Sequence, residues 1–131
     1  MTDPVTDPAT DPAPPRRVAI VDDDLRIRTL LRLELEDLGA VVECYASGEE
    51  ALERLEAQRP DLVLLDVGLP GLDGLECLGQ LRAQGLRARV VLMSAHWDPG
   101  DAEGYQAAGA DGFVLKTELP ALLEAWLAAP P

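Results

Sequence analysis

The chain is short of positive charge. Its 11 Lys and Arg residues face 24 Asp and Glu, a net charge of −13. Such a polyanion is repelled by nucleic acid and by anionic membranes, which argues against direct DNA binding by this polypeptide. Long apolar runs are missing as well. No stretch approaches the roughly 20 residues that cross a bilayer, and the first residues are polar and acidic, unlike a signal peptide. Cysteine is scarce: Cys44 and Cys77 lie far apart, with no C-x-x-C spacing and no histidine cluster. They read as reduced, partly buried thiols of a cytoplasmic protein. There is no glycine-rich phosphate loop of Walker type and no dinucleotide fingerprint, so nucleotide binding has no support.

What is present suffices for one domain: 131 residues, 47% of them hydrophobic, are enough to bury a core. Residues 1–16 stand apart. Thr2-Asp3-Pro4, Thr6-Asp7-Pro8 and Thr10-Asp11-Pro12 repeat every four residues, and a stretch so poor in large apolar side chains is expected to form a disordered leader.

From Arg17 the pattern alternates. Val18–Val21 reads as a buried strand. A helix follows, with Ile27, Leu30, Leu31, Leu35 and Leu38 on its inner face and Gly39 as its stop. Ala40–Cys44 is the second strand. Ser47 and Glu50 suggest a capping box for a helix that turns Ala51, Leu52 and Leu55 inward. Leu62–Leu65 is the third strand, and Asp73 with Glu76 opens a helix carrying Leu75, Leu78 and Leu81, closed by Gly85. Val90–Met93 is the fourth strand. Asp98-Pro99 marks a helix start with Asp as N-cap and Pro at the first helical position. Gly112–Leu115 is the fifth strand, and residues 117–128 form the last helix, with Trp126 packing inside it. Five apolar strands alternating with helices imply an α/β fold, a parallel sheet covered on both faces and doubly wound by right-handed crossovers. Ligands of such folds bind along the edge formed by the strand C-termini.

Polar residues gather at that edge. The first strand ends in Asp22-Asp23-Asp24, the third in Asp66, the fourth in Ser94, the fifth in Lys116. Carboxylates converging from neighbouring strands repel one another unless a cation lies between them. An open set of oxygen ligands suits Mg²⁺, which keeps several waters. The ion and Lys116 would neutralise an incoming phosphoryl group, Ser94 would hydrogen-bond one of its oxygens, and Asp66 would attack phosphorus. Taken singly, each residue has a plainer reading: Asp24 and Asp73 as helix caps, Ser94 as a loop hydroxyl, Lys116 as a surface lysine. Their joint placement at strand ends is what points to chemistry.

Residues 17–128 resemble the receiver domains of two-component response regulators. The resemblance rests on Val21-Asp22-Asp23, on Asp66 followed by Pro70-Gly71 and Asp73-Gly74, on Ser94-Ala95, and on Gly112-Phe113-Val114-Leu115-Lys116. It implies a flavodoxin-like (βα)5 fold with strand order 2-1-3-4-5, followed here by a tail at 129–131. It also implies Asp66 as phosphoacceptor, and Asp22, Asp23, Asp66 and the Gly68 carbonyl as Mg²⁺ ligands. Ser94 and Lys116 are then the hydroxyl and amine that hold the phosphoryl group, and Ser94 with Phe113 form the switch pair. The implied partner is a histidine kinase or phosphotransfer protein, with homodimerisation on phosphorylation as an option and readout through the helix 4–strand 5–helix 5 face. The wording around Asp66 and Lys116 is most similar to the NarL/LuxR-type subgroup. One departure is Thr117, where the family commonly has proline after the lysine in a cis peptide; a trans bond or an altered loop is expected here.

Helix four, punctuated by Gly100, Gly104 and Gly109, is expected to rearrange easily together with loop 95–99. His96 and Trp97 are expected to border the site, and Gly68 and His96 to tune water attack on an acyl phosphate. A phosphohydrolase of haloacid-dehalogenase type needs a second Asp two residues after the nucleophile, where this chain has Gly68. The expectation is a switch, not a turnover enzyme. The alternative is an inactive receiver-like interaction module, which would have no need of so many like charges.

Overall fold

The computed structural model describes residues 17–96, 102–119 and 121. Strand β1 (Arg17–Val21), helix α1 (Leu25–Asp37), β2 (Val41–Tyr45), α2 (Gly48–Gln58), β3 (Leu62–Asp66), α3 (Gly74–Ala83), β4 (Arg89–Ser94), α4 (Ala102–Ala107) and β5 (Gly112–Leu115) follow in order, and then a 3₁₀ turn, Lys116–Glu118. All four strand pairings are parallel, and the sheet order is β2-β1-β3-β4-β5. This is the expected doubly wound fold. The expected leader, Trp97, the Asp98-Pro99 helix start, Trp126 and most of the last helix lie outside the described residues.

Side-chain alternation along the strands divides the core in two. Val18, Ile20, Leu62, Leu64, Val91, Met93 and Val114 face the layer that holds Leu31 and Leu35 of α1. Ala19, Val21, Val63, Leu65, Val90 and Leu92 face the layer built by Ala51 and Leu55 of α2 and by Cys77, Leu78 and Leu81 of α3. β3 is buried at every position, as a central parallel strand must be.

The inner faces of two helices need correction. Leu30 and Leu38, expected inside α1, are 50% and 37% exposed, and Leu75 of α3 is 37% exposed. The buried line of α1 is the i, i+4 pair Leu31–Leu35, flanked by half-buried Ile27. Leu30 is rotated about 100° from Leu31, and Leu38 is the C-cap residue. In α3 the buried line runs through Gly74, Cys77, Leu78 and Leu81, leaving Leu75 beside it.

Capping also differs in detail. Ser47 Oγ accepts from Glu50 N–H at 3.1 Å, but the Glu50 carboxylate reaches Ala46 N–H, at 2.8 Å, and not that of Ser47. The reciprocal box sits at α3, where Asp73 accepts from Glu76 N–H and Glu76 accepts from Asp73 N–H. Gly39 and Gly85, at φ +95° and +97°, stop α1 and α3 as expected. Cys44 and Cys77 are free thiols. Burial pushes the Cys77 thiol up to about 11.

Candidate phosphoryl and metal site

The two-residue period of a strand extends past its end, and that extension builds the site. Val18 and Ile20 lead to Asp22, Leu62 and Leu64 to Asp66, and Val114 to Lys116. All five apolar residues belong to the layer facing α1. Asp22, Asp66 and Lys116 therefore continue one apolar stripe beyond the sheet edge, held by strands that hydrogen-bond to one another or to β4.

Asp22 is fully buried and Asp66 only 5% exposed. Lys116 Nζ lies 2.7 Å from Asp22 Oδ2 and 3.3 Å from Asp66 Oδ2. The shorter contact is charge attraction without hydrogen-bond alignment, since Asp22 Oδ2 has no aligned donor among the described residues. The other oxygens are held by backbone: Asp22 Oδ1 accepts from Asp24 N–H at 2.9 Å, and Asp66 Oδ1 from Gly68 N–H at 3.0 Å. Asp23 is exposed, yet one oxygen from each of Asp22, Asp23 and Asp66 falls within a 4.8 Å cluster.

Burial raises the Asp66 carboxyl above its ordinary range and the neighbouring Asp22 charge adds to this, while the Gly68 amide and Lys116 act in the opposite sense. For Lys116, burial acts to lower the ammonium, but the Asp22 and Asp66 carboxylates outweigh it and the net direction is up. Three carboxylates clustered around a single ammonium, two of them buried, leave negative charge unbalanced, and such an all-oxygen set fits a hard divalent cation.

Ser94 is brought to the rim but not turned inward. Its position continues Val90 and Leu92, on the opposite face from Asp66. Its hydroxyl donates to His96 O at 2.8 Å and accepts from His96 N–H at 3.1 Å. His96 is exposed, with its backbone, as described, tied to Ser94. Phe113 lies on that second face too and stacks on Tyr105 of α4, ring centroids 4.9 Å apart. Tyr105 is thus an apolar anchor for α4 that composition did not advertise. Asp24 caps α1 by accepting from Arg26 N–H, and Asp73 caps α3; the plainer reading holds for both. The Lys116–Thr117 peptide is trans, there being no cis bond among the described residues.

Three supporting residues escaped the sequence reading. Arg28 Nη1 donates to the Asp22 carbonyl at 2.8 Å. Glu49 Oε2 accepts from Leu72 N–H at 3.3 Å, tying α2 to the loop after Asp66. Gly74 lets α3 start against that loop: a Cβ there would stand 2.4 Å from Asp66 O and 2.6 Å from Val67 Cα. Its only sequence signal was the Asp73-Gly74 pair. No helix of the described residues is long and apolar enough to cross a membrane.

Comparison with known proteins agrees with this geometry. The family profile described as response regulator receiver domain matches residues 18–127. The alkaline phosphatase synthesis transcriptional regulatory protein PhoP of Bacillus subtilis is 39% identical over 105 residues, 80% of this chain and 44% of that one. The response regulator MprA of Mycolicibacterium vanbaalenii is 40% identical over 114 residues, 87% of this chain and 48% of that one. The chain spans about half the length of these curated relatives. Among solved structures, the signal receiver domain of the putative response regulator NarL from Mycobacterium tuberculosis is 34% identical, with a TM-score of 0.74 over 82% of this chain and 89% of that one.

Proposed function

The chain belongs to the response regulator receiver family, a family of signalling domains, and from that premise we propose that it is a covalent switch whose phosphoacceptor is Asp66. The observation that carries the proposal is the triad of Asp22, Asp66 and Lys116 at the C-terminal ends of β1, β3 and β5, with Lys116 Nζ within 3.3 Å of both carboxylates. An Asp66 carboxylate oxygen attacks the phosphorus of a phosphohistidine on a partner kinase or phosphotransfer protein. The O–P bond forms, the P–N bond breaks, and the imidazole leaves with the electron pair and takes up a proton.

Asp22, Asp23, Asp66 and the Gly68 carbonyl would hold Mg²⁺, which when bound offsets the charge of the transferring group. Lys116 keeps its ammonium charged at neutral pH and is placed to pair with a phosphoryl oxygen. Ser94 would have to release His96 and turn toward Asp66 to donate. That release would free the loop after β4, and the Phe113–Tyr105 stack would carry the change to α4. A Cβ at position 68 would sit 3.7 Å from Asp66 Oδ1, so Gly68 leaves one approach to the acyl phosphate uncovered. We assign residues 17–128 to the receiver unit, 1–16 to a leader and 129–131 to a tail. The setting proposed is the cytoplasm. The same proposal extends to output control, DNA binding elsewhere in a longer protein, and pairing of activated receivers. The subgroup assignment to NarL/LuxR-type receivers rests on the residues around Asp66 and Lys116.

The test is incubation with Mg²⁺ and acetyl phosphate, followed by intact mass. One added phosphoryl group is expected in the parent and none in Asp66→Asn. Followed over time, the adduct should decay at an altered rate in His96→Ala while still forming. A parent protein that never gains the group would leave an interaction module as the better reading.

A further inference from the structure

We propose that Arg28 is a positioning residue for the divalent cation site, acting through the Asp22–Asp23 peptide. The inference rests on the metal reading given above and adds to it a residue outside the ligand set.

Arg28 lies in the first turns of α1, six residues after Asp22, and its half-buried side chain folds back toward β1. Its Nη1 donates to the Asp22 carbonyl at 2.8 Å. That oxygen belongs to the peptide joining Asp22 to Asp23, so the bond sets the plane from which the Asp23 side chain departs. The rest of Asp22 is already fixed: its N–H donates to Tyr45 O at 3.1 Å, and its Oδ1 accepts from Asp24 N–H. Asp23 has no such restraint among the described residues. It is exposed and enters the cluster only through the direction of its backbone. Among three carboxylates that repel one another, the exposed one is free to swing away, and a cation would then have to restore its position at entropic cost. The Arg28 bond holds that arrangement before any ion arrives.

The neighbouring Arg26 does not share this role. Its guanidinium is 91% exposed and pairs with Asp24 at 3.2 Å. Arg28 instead spends its donor on a backbone carbonyl, which conveys orientation. Positioning and charge make opposite predictions here. A cation near the site that acted only by its charge would repel Mg²⁺, and removing it would tighten binding. A positioning residue removed would weaken binding.

The experiment uses the full chain and measures Mg²⁺ affinity by isothermal titration calorimetry for the parent, Arg28→Met, Arg28→Lys and Asp23→Asn. Arg28→Met should weaken Mg²⁺ binding by about tenfold, the usual loss when an outer-shell partner of a metal site is removed. Arg28→Lys, which keeps a donor of similar reach, should recover most of it. The ¹⁵N shift of the Asp23 amide, on the peptide whose carbonyl loses its donor, should move in Arg28→Met and return in Arg28→Lys. These spectra also report whether each variant is folded. Unchanged or tighter Mg²⁺ binding in folded Arg28→Met overturns the inference, as does loss of folding in Arg28→Met, which would make the residue structural. A parent that binds no Mg²⁺ overturns the metal reading itself, and the Arg28 inference with it.

Discussion

As the proposed phosphoacceptor, Asp66 meets two opposed demands. A nucleophile must be ionised, yet its side chain is almost entirely out of water, and burial raises its carboxyl above the ordinary 3.8. A carboxylate with a raised folded-state pKa binds more protons in the native than in the unfolded chain. Its ionisation therefore costs stability as pH rises through that window, and the cost is fully present above the folded-state value. Asp66→Asn, measured without divalent ions, should raise the melting temperature at pH 7, by a stability gain on the order of 1 kcal/mol. The gain should shrink as pH falls through the folded-state value toward and below 3.8. A destabilised Asp66→Asn at pH 7 would show that the Lys116 pairing outweighs burial. Phosphoryl transfer to Asp66 should follow the same ionisation, rising with pH across that window. The placement of Asp22, Asp66 and Lys116 together at the strand ends was legible because a polar group at the end of an apolar strand is visible in one dimension. Arg28 and Glu49 were not, because a charged residue on a helix acquires its role only from the carbonyl or amide that the fold brings to it.

At the scale of elements, strand existence and order were legible, and no strand end moved by more than one residue. Helix faces were less so. Leucine occupies positions 25, 30, 31, 33 and 35 of α1, so several inward lines were consistent with its sequence, and only packing against β1 and β2 selects Leu31–Leu35. Ser94 illustrates the same limit: the strand end was correct, but alternation places its hydroxyl on the face away from Asp66. The close start of α3 against β3 gives a direct test. Gly74→Ala would drive a Cβ into backbone atoms at 2.4 and 2.6 Å, which no rotamer change can relieve, and should cost about 3 kcal/mol. Gly79→Ala lies in the same helix with nothing within 4 Å of the added carbon, and should instead stabilise by roughly 1 kcal/mol. Urea midpoints for the two variants read the difference; equal midpoints would refute the close-packing account. At the far end of α3, Arg82 donates to the carbonyls of Leu86, Ala88 and Gly109 and pairs with Asp111 at 2.9 Å. One guanidinium so joins two loops at the edge opposite the site.

For the whole molecule, the excess of acid costs stability and makes it depend on the cations in solution. A net charge of −13 repels itself in the compact state, and simple salt relieves this by screening over a Debye length of about 10 Å at 0.1 M. NaCl should therefore stabilise the parent and Asp23→Asn alike. Mg²⁺ at matched ionic strength should do more, but only where the carboxylate cluster is complete. A cation binding the folded chain alone, at 100 times its Kd, adds about 2.7 kcal/mol, or roughly 10 °C in Tm for a domain of this size. Asp23 is exposed, so its replacement by Asn leaves the core intact and removes one ligand charge. The expected result is a Mg²⁺ increment over NaCl in the parent that largely disappears in Asp23→Asn, and a chelator should reverse it. Equal increments in both proteins would mean that Mg²⁺ acts on the general field of the acidic surface, and the strand-end carboxylates would lose their claim to a specific ion.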